Sequence, residues 1–290
     1  MIISRLKDDV YLSTVNLAGT HDSATAYVSM EKMCRCQSLT VEEQLRVGVR
    51  LFDIRLYNRG GDFYLCHAVA DCFEDEARTK KLSFDFLLDI FYAFLGANPR
   101  ETIVLSIKLD RGIQNRRFFS AFYKKYISGN EEKWYLENRN PQLSQCRGKL
   151  VLMRRCKRKK SFLTRETCGL DFSFWKDQDS KRKTHPLPLR RTVTFEAMIQ
   201  DRYGLDYAKK WEDCAKPFLD SCSTSPDDFA LHFISTAFRE KGADLKRGAD
   251  IINGSFIKYP LRKNTGWIFV DFADEEIIKK IMNSNMEEEV

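Results

Sequence analysis

Thr20-His21-Asp22-Ser23 sets a hydroxyl, an imidazole, a carboxylate and a second hydroxyl on consecutive positions, directly after an apolar run through Leu12, Val15 and Leu17 that Gly19 ends. Further along, other apolar runs also stop at ionisable groups: Arg55, His67, Lys108 with Asp110, Arg155, Asp201 and Asp271. If those run-ends converge, two imidazoles, a guanidinium and several carboxylates share one cleft. That set suits acid–base chemistry on a phosphodiester. One imidazole takes a proton from the attacking oxygen and the other gives one to the leaving oxygen. The guanidinium stabilises charge growing on the phosphoryl oxygens. The plainer reading of His21 and Asp22 is a helix cap and a turn.

The elements needed for such convergence are strands alternating with helices. Thr40 followed by Glu43 is a capping-box pattern, and the helix it starts ends near Gly48. Residues 49–57 read as a strand carrying Asp53 and Arg55 on alternate positions, and Arg59-Gly60-Gly61-Asp62 turns it back into a second strand over 63–67. The apolar spacing predicts a helix over 82–95, stopped by Asn98-Pro99. Strands are expected over 101–110, 148–156, 195–200, 229–236 and 266–272, and helices over 118–126, 207–222 and 274–282. Seven or eight strands without a linker or repeat favour one parallel sheet closing into a barrel, whose strand C-termini meet at one mouth. No glycine-rich phosphate loop is present, which counts against a dinucleotide or nucleoside-triphosphate fold.

Composition narrows the classes. The chain has 290 residues, 43% hydrophobic and 31% charged, enough for a large core. Its net charge of +7 suits an anionic surface but equally a solvated basic one, and no nucleic-acid module is recognisable. The nine cysteines are scattered without paired Cys-x-x-Cys units, so no metal site is expected, and free thiols in apolar runs lean towards a reducing compartment. No apolar signal segment precedes Tyr11 and no run reaches membrane-spanning length.

Six segments in order resemble the bacterial phosphatidylinositol-specific phospholipase C family over almost the whole chain. They are Thr20-His21-Asp22-Ser23, Leu51-Phe52-Asp53-Ile54-Arg55-Leu56, residues 63–67, 102–108, 148–155 and 266–272. The resemblance implies a single-domain α/β fold, a distorted and incompletely closed TIM barrel. It also implies metal-independent cleavage of phosphatidylinositol to diacylglycerol and inositol 1,2-cyclic phosphate, with no cofactor. By matched position, His21 is the general base on the inositol 2-hydroxyl and Asp271 its partner. His67 is the general acid with Asp22 assisting, and Arg55 binds the phosphate. Calcium-using relatives place carboxylates where Arg55 stands. Lys108, Asp110, Arg155 and Asp201 match headgroup-binding positions, Tyr203 a ring under the sugar, and Trp175 and Asp177 a further substrate-binding segment.

The resemblance has departures. Ala68 stands where the family usually has glycine, and Asp110 is one methylene shorter than the expected glutamate. Residues 239–249 read as a basic loop without the aromatic rim of some relatives, leaving Met30 and Met33 as a small apolar rim for peripheral membrane contact. Asp53 is expected to pair with a basic core residue, Arg154 to be a solvated or steering charge, His185 to be exposed, and His232 to be a core histidine. The chain is expected to act as a monomer. Its location stays open, because family habit favours export while the cysteine pattern does not. The competing functions are a catalytically weak or inactive inositol-phosphodiester-binding module and a glycerophosphodiesterase-like enzyme, which needs a metal-binding carboxylate cluster in place of Arg55.

Overall fold

In the computed structural model, residues 2–112, 116–159, 163–175, 178, 187–188, 194–237 and 244–286 are described. The strands are β1 (Leu17–Thr20), β2 (Leu51–Arg59), β3 (Asp62–His67), β4 (Ala70–Asp71), β5 (Ile103–Leu109), β6 (Trp134–Tyr135), β7 (Leu150–Arg154), β8 (Leu170–Asp171), β9 (Leu187–Pro188), β10 (Glu196–Gln200), β11 (Asp228–Phe233) and β12 (Trp267–Val270). The sheet runs β6-β7-β5-β2-β1-β12-β11-β10-β9. Every neighbour pair from β6 to β10 is parallel, and β9 closes the far edge antiparallel. Among the described residues the two ends of this order do not pair with each other, so the sheet is a curled, open barrel with helices around it. β3 folds back on β2 as a hairpin, through the expected turn at Gly60 and Gly61.

The strands that bear the candidate residues are sealed on both faces. β1, β7 and β12 are buried at every position, as near-continuous apolar runs of a parallel sheet should be. Helix Val41–Val47 starts with the predicted capping box and ends at Gly48, whose φ of 113° is left-handed. Helix Phe84–Ala97 is capped by Ser83 and lays Phe84, Leu87, Leu88, Phe91 and Leu95 on the core. At the opposite end of the barrel from the candidate residues, Arg50 and Glu101 form a fully buried ion pair at 2.7 Å, with Arg50 Nη1 also donating to the carbonyls of Leu45 and Val49.

Four expectations are corrected. Gly19 lies inside β1 rather than ending it; a Cβ there would stand 2.7 Å from Leu51 Cδ2, so glycine admits β2 alongside. The segment read as a loop over 239–249 becomes helical at Leu245: helix Leu245–Lys258 is capped by Asp244 and buries Ala249, Ile252 and Phe256. Arg154 is not solvated. Its side chain is 1% exposed and pairs with Asp171 at 2.8 Å, because it points to the opposite face of β7 from the barrel interior. The helix read over 118–126 is Arg116–Phe122 continued by a π-helical stretch Tyr123–Ile127. His232 is the core histidine it was read to be: its Nε2 meets the Thr265 carbonyl at 2.8 Å, and burial pushes the ring down to about 4. All nine cysteines are free and buried.

Candidate active site

Strand register brings the site together. Thr20 is paired with Val270, so the residues that follow, His21 and Asp271, leave the sheet side by side. The result is a 2.7 Å contact between His21 Nδ1 and Asp271 Oδ1. Thr20 is also paired with Phe52, which sets Asp22 and Ser23 beside Asp53. The Asp53 amide donates to Ser23 Oγ at 2.8 Å, and Gln44 Nε2 reaches from its helix to the Ser23 carbonyl at 2.8 Å. Arg55 stands opposite Lys108 and Ile107 opposite Arg154, so Lys108 and Arg155 come to the same mouth.

One carboxylate oxygen is the hub. Asp22 Oδ2 lies 3.1 Å from His21 Nε2, 3.4 Å from His67 Nε2 and 2.9 Å from Arg55 Nη1. The two imidazole centroids are 6.3 Å apart with their planes near perpendicular. His67 Nδ1 faces the Cys34 carbonyl at 2.9 Å. A carbonyl only accepts, so Nδ1 carries the hydrogen and Nε2 is the nitrogen turned to Asp22. Three non-glycine residues with left-handed backbone flank these groups: Asp22 at φ 43°, Ala68 at φ 51° and Phe272 at φ 47°. Such conformations are costly for L-residues and gather where geometry is imposed by surroundings.

Burial and charge set the protonation states. Burial works against the His21 cation, but the Asp271 and Asp22 carboxylates outweigh it and the ring's pKa is raised. Burial also disfavours a charged Arg55; Asp22, Asp53 and Asp110 reverse that, and it stays a cation. Asp53 is buried yet held below the usual carboxylate range by Arg55 and Arg155. It bridges the two, with Arg55 Nε at 3.0 Å on one oxygen and Arg155 Nη1 at 3.1 Å on the other. The expected pairing of Asp53 with a basic core residue is therefore made inside the mouth itself. The Arg155 guanidinium lies 3.6 Å over the Trp175 ring and 3.9 Å from Asp201. Lys108 Nζ pairs with Asp110 Oδ1 at 2.8 Å, and Asp110 Oδ2 accepts the Ala68 amide at 2.6 Å. Asp110 thus ties down the turn after His67 as well as facing the mouth.

Tyr203 is half-buried, three residues beyond the end of β10. Asp177 and His185 lie outside the described residues. The sequence reading did not single out Phe233, whose ring makes near-perpendicular contacts with both His21 and Trp175, at centroid distances of 5.9 and 5.3 Å. Nor did it find Lys210, buried behind Asp201, where burial pushes the ammonium down to about 8 while Nζ holds Gln200 Oε1 at 2.9 Å. Neither residue belongs to a motif: Phe233 is placed by the strand β11 and Lys210 by the helical stretch Lys210–Ala215 that follows β10.

Among the described residues, His21, Asp22 and Cys36 are the group whose donor atoms stand close enough to hold a metal, within 4.8 Å of one another. They fit a cation poorly. His21 Nδ1 is committed to Asp271, the Arg55 guanidinium already neutralises Asp22, and burial keeps the Cys36 thiol protonated, well above its ordinary pKa.

Comparison with known proteins agrees with this fold. Residues 8–143 match the family model described as PI-PLC X 1. The chain is 27% identical over 314 residues to a 1-phosphatidylinositol phosphodiesterase of Staphylococcus aureus strain Newman, covering 98% of this chain and 93% of that protein. A protein of the same name from Listeria monocytogenes is 22% identical, over 98% of this chain and 84% of the relative. Among solved structures, the phosphatidylinositol-specific phospholipase C of S. aureus superposes with a TM-score of 0.79 at 25% identity, covering 98% of this chain and 97% of that one. The Listeria monocytogenes enzyme of the same name shares the fold, with a TM-score of 0.75 at 20% identity over 99% of this chain and 98% of that one. Over almost its whole length the chain is therefore similar to bacterial phosphatidylinositol-specific phospholipases C, and its first half matches the PI-PLC X 1 family model.

Proposed function

We propose that this protein is a phosphatidylinositol diacylglycerol-lyase. The attacking group is the substrate's own inositol 2-hydroxyl, so no protein nucleophile is needed and the reaction gains from proximity. His21 Nε2 takes the hydroxyl proton as the oxygen bonds to phosphorus, and Asp271 stabilises the imidazolium so formed. The bond from phosphorus to the glycerol oxygen breaks, and His67, entering the step as the imidazolium with a hydrogen on each ring nitrogen, delivers its Nε2 proton to that oxygen with Asp22 beside it. Diacylglycerol leaves and inositol 1,2-cyclic phosphate remains. Arg55 supplies positive charge at the phosphoryl oxygens, the task a metal performs in other phosphodiesterases. Lys108, Asp110, Arg155 and Asp201 face the mouth where the inositol hydroxyls would bind; Tyr203, Trp175 and Asp177 complete the assignment of the headgroup site.

The observation that carries this reading is the single Asp22 oxygen shared by both Nε2 atoms and Arg55. An incoming phosphodiester has its two proton-transfer partners and its counter-cation already grouped. Phosphorus NMR of the products formed from phosphatidylinositol vesicles in EDTA tests it. A cyclic phosphate is expected as first product. Binding without turnover would make the protein a headgroup-binding module, and turnover abolished by EDTA would make it a metal-dependent phosphodiesterase.

The protein is taken to act as a monomer that touches the membrane only peripherally. Met30, Met33 and Val69 are exposed large apolar residues: Met30 caps and Met33 lies in the short helix Glu31–Cys34, and Val69 lies in the turn after β3. One solved S. aureus relative was studied for modulation of its membrane binding.

A further inference from the structure

His21 and His67 come from different strands, yet one short segment touches both. The Cys34 carbonyl fixes the hydrogen on His67 Nδ1, as described above. Two residues on, the Cys36 carbonyl accepts the amide of Phe272 at 2.7 Å, where the backbone is left-handed. Gln37 then buries its side chain completely and uses all of it. Its Nε2 donates to the His21 carbonyl at 2.8 Å and to the Val270 carbonyl at 2.9 Å, and its Oε1 accepts the Ala273 amide at 3.1 Å. Each partner is a backbone atom of His21 or of a residue flanking Asp271, so this amide straps the strand ends that carry the dyad. Among the described residues, Asn253 adds a tie from another side, donating to the Asp271 carbonyl at 2.9 Å.

We propose that Gln37 is a positioning residue that sets the His21–Asp271 contact, through a segment that also fixes the tautomer of His67. This rests on the reading of His21 as general base, but its consequence is present in the free protein. The site demands two donors and one acceptor at the reach of a glutamine. Glutamate keeps only the acceptor, and methionine keeps the length with neither. Loosening the strap lengthens the contact with Asp271, and the imidazolium loses its nearest counter-charge. The other groups facing His21 are Asp22 and Arg55, the Cys36 thiol, Asp53, and the His67 ring, and a Gln37 substitution alters none of them chemically.

Nitrogen-15 NMR of the imidazoles in the substrate-free protein tests the proposal. In Gln37→Met the His21 titration should fall by about one pH unit, the scale of a weakened carboxylate contact, while the His67 tautomer signature stays as in the wild type. Turnover of phosphatidylinositol should drop about 10²-fold in kcat with little change in KM, as misplacement of a catalytic group by about 1 Å can cost. Gln37→Leu, which also removes both donors and the acceptor without adding a charge, should shift His21 in the same direction. In the wild-type protein, which needs no variant to fold, the Gln37 side-chain amide resonances should move together with the His21 titration. An unshifted His21 in either variant overturns the proposal, as does loss of the His67 signature along with it. Wild-type Gln37 resonances indifferent to His21 would do the same. Failure of wild-type phosphatidylinositol cleavage with these NMR results intact would overturn the proposed function and not the strap.

Discussion

Replacing Asp271 by asparagine removes one charge and keeps the volume. In the wild type its carboxylate oxygen lies 2.7 Å from His21 Nδ1, with side-chain exposures of 6% and 16%. The pair is neither dry nor fully wet, so an effective dielectric near 20 is appropriate, and unit charges about 4 Å apart then interact by about 4 kcal/mol. The charge on His21 appears only as it accepts the proton, so most of that energy belongs to the transition state. At about 1.4 kcal/mol per decade, kcat should fall about 10³-fold. A second effect has a definite sign. The raised pKa of His21 places the acid limb of kcat/KM above the ordinary histidine value of about 6.5. Without Asp271 the limb moves down, so the deficit is smallest in acid and largest on the alkaline plateau. Linkage gives the same direction in stability. A folded-state pKa raised above the unfolded value stabilises the fold fully below about pH 6.5, and the contribution is lost as pH rises through the folded value. The assay is the initial rate of cyclic phosphate release between pH 5 and 9. A variant within tenfold of wild type, or an acid limb that does not move, would refute the dyad.

His21→Ala and His67→Ala should each lower kcat by about 10²–10⁴-fold, with circular dichroism unchanged. A substrate with a more acidic leaving group should rescue His67→Ala and not His21→Ala, because only the former acts on the departing oxygen. EDTA should leave the rate unchanged, since Arg55 holds the position of a cation at Asp22; chelator inhibition that added metal reverses would contradict the assignment. Glu101→Ala should destabilise the fold by about 3–5 kcal/mol in urea denaturation, because it strands the buried Arg50 charge far from the mouth. It should leave the pH dependence of turnover unchanged.

Much of this protein is written locally in its chain. The capping box at Thr40, the glycine stop at Gly48 and the Gly60-Gly61 hairpin each depend on a few neighbouring residues, and they form as read. The strands carrying ionisable ends are legible for the same reason, since an apolar run that turns polar is a local signal. Helix Leu245–Lys258 escaped because its polar, glycine-containing sequence carries only a sparse apolar stripe, through Ala249, Ile252 and Phe256.

What the chain by itself determined is which groups stand at the strand ends. Which of them meet was decided by register and by the face each side chain takes. Arg154 and Arg155 are adjacent and chemically identical, yet one is sealed against Asp171 outside the barrel and the other bridges Asp53 and Trp175 within it. Alternation separates them, but only the pairing of β7 with β5 says which face is the inside. The partners of His21, Asp271 and Gln37, lie 250 and 16 residues away and become neighbours when β1 and β12 align. Hydrogen bonds at that sequence distance are a property of the folded sheet, and no spacing in the sequence encodes them.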